Sequence, residues 1–246
     1  DVLIRVDRTG ICGTDLHIYK WDDWARRTIP VPMVVGHEFV GEVVALGEGA
    51  AEKHGLTIGD RAISENIVPC WKCRYCKRGQ YWMCQQHDIY GFKKGRAEGS
   101  WAEYMKFPAN AIVYRVPADI PVEQDALIEP LACAIHAVER GDIQLGDVVV
   151  IAGMGPIGLC MLQVARQKGP GLLIALDARP HPDDPNQRAL YAAVANFASN
   201  TLSADLELHF QAHDADAPRL LDTRPLSVPA GQTVPQVGRA SCRERV

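Results

Sequence analysis

Four of the chain's eight cysteines fall within fifteen residues, as Cys70, Cys73, Cys76 and Cys84 in the spacing C-x2-C-x2-C-x7-C. Two-residue gaps make a tight loop that presents three thiols to one point, and Cys84 closes the set from the far side of the loop. A chain carrying this cluster has to build a small lobe around it, here placed at 66–92. Zinc takes four thiolates tetrahedrally and suits the spacing. The ferredoxin-type iron–sulfur run has its fourth cysteine three residues on, followed by proline, and suits it less well. Disulfides or free thiols are the plain alternative, although a disulfide framework more often spreads along the chain. A closed four-thiolate shell has no open position, so this zinc is expected to be structural.

Composition excludes several classes. Of 246 residues, 47% are hydrophobic and 23% charged, an ordinary globular balance. A net charge of −4 gives no call for nucleic acid or an anionic membrane as partner. The apolar stretch 148–165 approaches membrane-spanning length, but Gly153, Gly155, Pro156 and Gly158 break it. The chain opens inside a strand pattern, Asp1 to Val6, with no Met and no apolar leader, so truncation and a cytoplasmic location are expected.

Residues 1 to about 120 read as strands and turns, including 38–46 and 101–106. Residues 124–140 turn helical, and Pro130 should start a new helix or kink the old one. From Val148 to Asp177 the order is strand, glycine turn, helix, strand, which is one βαβ unit. Gly153-Met154-Gly155-Pro156-Ile157-Gly158 fits G-x-G-x-x-G in that context. The first glycine makes the turn, the second admits a pyrophosphate, and the third packs helix on strand. The helix N-terminus presents N–H groups to phosphate. Asp177, 19 residues after Gly158, suits a ribose with both hydroxyls free and favours NAD over NADP, with Arg179 pulling the other way.

Further donors lie in three separated segments. They are Cys12 in Gly10-Ile11-Cys12-Gly13-Thr14-Asp15-Leu16-His17, His37 and Glu38 after Gly36, and Glu129 before Pro130. A catalytic zinc takes about three ligands of these types and keeps one position open. The spacings do not themselves show that the segments meet.

Together, the 10–17 segment, the Gly36-His37-Glu38 step, the cysteine lobe and the glycine turn resemble the zinc-dependent medium-chain dehydrogenase/reductase family over about residues 1–179. The resemblance implies an α/β plus β architecture. A GroES-like β-rich catalytic domain over 1–143 would be followed by an incomplete Rossmann-type NAD-binding domain over 144–180. It implies Cys12, His37 and Glu129 as catalytic zinc ligands and Glu38 as an exchangeable ligand or supporting carboxylate. Thr14 and His17 match the proton relay, and Asp15 the group that orients a ligand. It further implies a small-molecule alcohol substrate, NAD, two zinc sites and a dimer or tetramer.

On substrate, residues 20–32 resemble L-threonine 3-dehydrogenases, whereas 64–94 and 128–140 resemble polyol dehydrogenases of the erythritol/threitol type. The polyol is the favoured expectation. Only 69 residues follow Asp177, too few for the strands such a nucleotide domain still needs. Residues 181–246 hold two of the 21 Gly, no Trp and no Lys. Leu190, Val194 and Phe197 have helical spacing there, and Leu206, Leu208 and Phe210 strand spacing. The segment is expected to be a non-native or disordered tail, which leaves a non-catalytic zinc-binding remnant as the reading from another class.

Overall fold

The first strand, β1 (Val2–Thr9), pairs antiparallel with β2 (Phe39–Leu46) so that Thr9 lies opposite Phe39 and Arg5 opposite Glu42. Arg5 Nη2 meets Glu42 Oε2 at 2.6 Å across the pair, the cross-strand charge matching that favours one register. This computed structural model describes residues 1–93, 97–181, 184–198, 200–210 and 219–238. They divide into two units, Asp1–Glu129 and Pro130–Val246.

In the first unit, β3 (Arg61–Ser64) adds to β2. The two-residue strands β4 (Ile67–Val68) and β5 (Asp88–Ile89) pair as the base of the cysteine lobe. β6 (Tyr104–Phe107) and β7 (Val113–Arg115) complete a five-stranded sheet in the order β6-β1-β2-β3-β7. Between β1 and β2 run α1 (Gly13–Lys20) and α2 (Asp23–Thr28), and α3 (Ala50–His54) follows β2. Val2 and Ile4 of β1, Phe39, Val40 and Val43 of β2, and Met105 and Phe107 of β6 are buried in one core. Tyr90, just after β5, buries its ring 5.4 Å from that of Phe39 while its hydroxyl lies 3.1 Å from Ser64 Oγ, which fastens the lobe to the sheet.

The helical stretch splits into α4 (Val122–Asp125) and α5 (Ile128–Arg140). Pro130 stands in the first turn of α5, where a missing N–H breaks no intrahelical bond, so it starts a helix. In the second unit, β8 (Val148–Ala152), α6 (Pro156–Gln167) and β9 (Leu172–His181) form the expected βαβ, with β8 and β9 parallel. Val138, Ile151, Ala165 and Leu173 bury its core.

Beyond Asp177 the structure departs from a parallel sheet. β10 (Asp184–Asn196) returns antiparallel to β9, and β13 (Thr233–Gly238) pairs antiparallel with β10. β11 (Leu202–Phe210) and β12 (Arg219–Val228) pair with each other. Most of the described residues of 181–246, the stretch expected as a non-native or disordered tail, lie in antiparallel ladders. Leu190 and Val194, spaced for a helix, lie in β10. Among the described residues no helix is long and apolar enough to cross a membrane.

Candidate metal centres and nucleotide turn

The lobe cysteines come together as their spacing requires. All four Sγ atoms lie within 4.8 Å of one another. Cys73 to Cys76 is 3.6 Å, Cys73 to Cys84 3.9 Å and Cys70 to Cys76 4.0 Å. Zinc–sulfur bonds of about 2.3 Å at tetrahedral angles give sulfur separations near 3.8 Å. A disulfide needs about 2.05 Å. The geometry therefore fits one shared ion, and these cysteines are free thiols. The N–H groups of Lys72 and Cys73 donate to Cys70 Sγ at 3.4 Å and lower its pKa, and those of Cys76 and Gln85 draw Cys73 down to about 6. Burial pushes Cys76 up to about 12. Packed thiols with such opposed tendencies become four thiolates together only around a cation.

The second donor set is assembled by the β1–β2 register. With Thr9 opposite Phe39, the residues that leave β1 and those that enter β2 share one end of the sheet, and Cys12, His37 and Glu38 meet there with donor atoms within 4.8 Å. Gly10 allows this approach, since a Cβ on it would sit 2.2 Å from Glu38 Oε2. Gly36 turns the chain into the site with φ +97°.

Cys12 caps the N-terminus of α1, and Asp15 does two jobs at that end. Its Oδ2 accepts the Cys12 N–H at 2.8 Å, and its Oδ1 lies 3.8 Å from His37 Nδ1. Both side chains are buried, and neither Asp15 Oδ1 nor His37 Nδ1 has a hydrogen-bond partner. Burial lowers the pKa of His37 against the pull of Asp15 and Glu38, which favours the neutral imidazole a metal needs. Burial raises the Cys12 thiol, and a cation beside it would reverse that preference. A cysteine, a neutral histidine and a carboxylate form a donor set suited to zinc.

Thr14 Oγ1 stands 3.8 Å from Cys12 Sγ, and His17 lies one turn further along α1. His17 is exposed and its Nδ1 lies 2.6 Å from Asp22 Oδ2. Asp22 caps α2 through the Ala25 N–H, and that bond together with His17 holds its pKa low. An aromatic row, His37–Phe92–Trp24–His17, links the donor cluster to this exposed end at ring separations of 5.0, 6.4 and 6.2 Å. Glu129 is not in the donor group; its Oε1 accepts from Asn66 Nδ2 at 2.8 Å. Sequence reasoning did not find Asn66, Gly10 or Phe92, whose contacts come from distant segments.

In the second unit, Gly153 turns with φ +94° and Asp177 Oδ1 accepts the Met154 N–H at 3.3 Å. A Cβ on Gly158 would lie 1.7 Å from Gly153 O, so this glycine is required by the fold. A Cβ on Gly155 would meet no atom within 4 Å. The space beside Gly155, at the cap of α6 ahead of Pro156 and Ile157, suits a bound phosphate group.

Residues 1–118 match the family model of the alcohol dehydrogenase GroES-like domain. The erythritol/L-threitol dehydrogenase of Mycolicibacterium smegmatis is 52% identical over 186 residues, covering 73% of this chain and 51% of that protein. The L-threonine 3-dehydrogenase of Idiomarina loihiensis is 42% identical over 181 residues, covering 74% and 51%. Among solved structures, the alcohol dehydrogenase TADH of Thermus sp. ATN1 superposes with a TM-score of 0.63 at 35% identity, covering 74% of this chain and 52% of that one. The alcohol dehydrogenase of the hyperthermophilic archaeon Aeropyrum pernix gives 0.62 at 30%, covering 73% and 52%. The chain spans about half the length of the curated relatives it matches. Residues 1–118 thus carry the alcohol dehydrogenase GroES-like domain, and about three quarters of the chain is similar to about half the length of alcohol-oxidising dehydrogenases.

Proposed function

We propose that the chain carries the catalytic domain, residues 1–143, and the opening of the NAD-binding domain, 144–180, of a dehydrogenase that oxidises a secondary alcohol of a small polyol. The observation that carries this reading is the meeting of Cys12, His37 and Glu38 beside Thr14 and Asp15. Cys12, His37 and Glu38 would hold a catalytic zinc, and Cys70, Cys73, Cys76 and Cys84 a structural one. Zinc supplies Lewis acidity that lowers the pKa of an alcohol, and NAD accepts hydride. Asp15 Oδ1, 3.8 Å from His37 Nδ1, would attract that ring edge and so turn the other ring nitrogen toward the cluster. The Thr14 hydroxyl would accept the proton leaving the substrate oxygen while passing its own proton on, and exposed His17, paired with Asp22, would release a proton to solvent. Gly153, Gly155 and Gly158 with the start of α6 receive the pyrophosphate, and Asp177 accepts from the ribose hydroxyls, which favours NAD.

The tetritol substrate class is supported by the 52% relative, an erythritol/L-threitol dehydrogenase. L-threonine is the second substrate reading, supported by the 42% relative and by residues 20–32. A non-catalytic zinc module is the reading from another class, favoured by a nucleotide sheet with one parallel pair followed by antiparallel strands. The test offers erythritol, threitol and L-threonine with NAD to the zinc-loaded chain and follows NADH. Turnover of a tetritol, lost at least about a hundredfold in Cys12→Ser, is expected. Turnover of threonine alone overturns the polyol assignment, and no NADH with any of them leaves the non-catalytic module.

A further inference from the structure

Helices α1 and α2 meet at Trp21, which takes the left-handed region with φ +51°. A residue with a side chain adopts that conformation at a cost. Two backbone bonds offset it, from the Trp21 N–H to Ile18 O at 3.0 Å and from the Asp22 N–H to His17 O at 3.4 Å. The turn brings the Asp22 side chain beside the His17 ring. Asp22 then opens α2, where its Oδ1 accepts the Ala25 N–H at 2.9 Å. That bond fixes the carboxylate, and its other oxygen, Oδ2, lies 2.6 Å from His17 Nδ1.

The pairing decides where the imidazole carries its hydrogen. The Ala25 N–H, and after it His17, hold the Asp22 carboxyl below its ordinary range, so the group is an anion. A carboxylate only accepts, so Nδ1 carries the hydrogen and Nε2 keeps a lone pair. The Trp24 ring stands T-shaped to the imidazole, 6.2 Å away at 71°, and steadies it from the start of α2. Both partners face solvent, where an ion pair adds little stability, so the effect of the arrangement falls on the ring's orientation and tautomer. Thr14 and His17 are three residues apart on α1 and share one face of it.

We infer that Asp22 is a positioning residue that holds His17 as the Nδ1–H tautomer and so keeps Nε2 as the acceptor for the proton that leaves by way of Thr14. The inference rests on the proton-exit reading above and deepens it. An imidazole without a partner favours the opposite tautomer, with its hydrogen on Nε2, and would meet an arriving proton with a donor. With Asp22 in place Nε2 takes the proton, Nδ1–H stays on the carboxylate, and the Nε2 proton then passes to water.

The test labels the histidines of the zinc-loaded full chain with nitrogen-15 and records long-range proton–nitrogen spectra at a pH above the range in which imidazoles are protonated. The His17 signals are those missing from His17→Gln. The wild type should show a protonated Nδ1 and a bare Nε2. Asp22→Asn keeps the cap of α2, since asparagine caps as well as aspartate, but its amide donates to Nδ1. It should move the hydrogen to Nε2, exchanging the two nitrogen shifts, and cut kcat for the alcohol about tenfold with KM unchanged. A role for Asp22 in capping alone would change neither. Should Asp22→Asn fail to fold, Asp22→Ser, which also caps, decides by the same shifts. Nε2–H in the wild type, an unmoved tautomer in the variant, or a moved one with unchanged kcat overturns the inference. Wild-type kcat in His17→Gln overturns the proton-exit reading itself, an outcome kept distinct because the tautomer is read without turnover.

Discussion

Asp15 concentrates more of the site's geometry than any donor does, because one carboxylate closes the start of α1 and faces His37 from 3.8 Å. Asp15→Ala should therefore do two measurable things. It should lower stability by about 1 kcal/mol through the lost cap. It should also weaken the second metal roughly ten- to a hundredfold, because His37 loses the group that orients it. Stability unchanged in urea together with unchanged metal affinity would contradict both roles. The glycines of the nucleotide turn make a sharper pair. Gly158→Ala drives a Cβ into Gly153 O and should cost at least about 1–3 kcal/mol. Gly155→Ala meets no protein atom, so its stability should stay within about 0.5 kcal/mol while NADH binding, followed by cofactor fluorescence, weakens. If both variants lost stability equally, the space beside Gly155 would be a packing feature with no ligand to explain it.

At the scale of elements, β8 shows a mismatch between its sequence and its surroundings. A run of Val148-Val149-Val150-Ile151-Ala152 is what a strand buried on both faces looks like. Here Ile151 is 6% exposed against α5 and α6, whereas Val148 and Val150 on the other face are 66% and 54% exposed. Ile151→Ala should then cost about 2–5 kcal/mol. Val150→Thr should cost almost nothing, and a large loss there, read from urea midpoints, would show that both faces are covered. The strands, the βαβ unit and the helix start at Pro130 were legible because each follows from local periodicity and breakers. The four cysteines were legible because their partners are neighbours in sequence. The convergence of Cys12 with His37 and Glu38 was legible only through the family resemblance and not from spacing, since it depends on Thr9 pairing with Phe39, and the Asn66–Glu129 bond joins residues 63 apart. The helical spacing of Leu190 and Val194, which lie in β10, has a simple explanation. A spacing of four satisfies both the helical repeat and the two-residue repeat of a strand.

For the whole molecule, the proposed metal chemistry falls on two donor clusters in one unit. The cysteine centre ties the loop between β4 and β5, and Tyr90 fastens that pair to the sheet. Chelating its metal should raise amide hydrogen exchange in 66–92 while the five-stranded sheet stays protected. Loss of protection throughout the sheet would mean that the lobe holds up the whole unit. The donor cluster of Cys12, His37 and Glu38 is the centre on which the proposed chemistry depends. The most direct test is the zinc content per chain of the wild type, Cys12→Ser and Cys73→Ser, purified side by side. The wild type should hold two zincs and Cys12→Ser one, with Cys73→Ser losing the lobe zinc and keeping the other. One zinc in the wild type, unchanged in Cys12→Ser, would contradict it and leave the cysteine lobe as the chain's single metal centre.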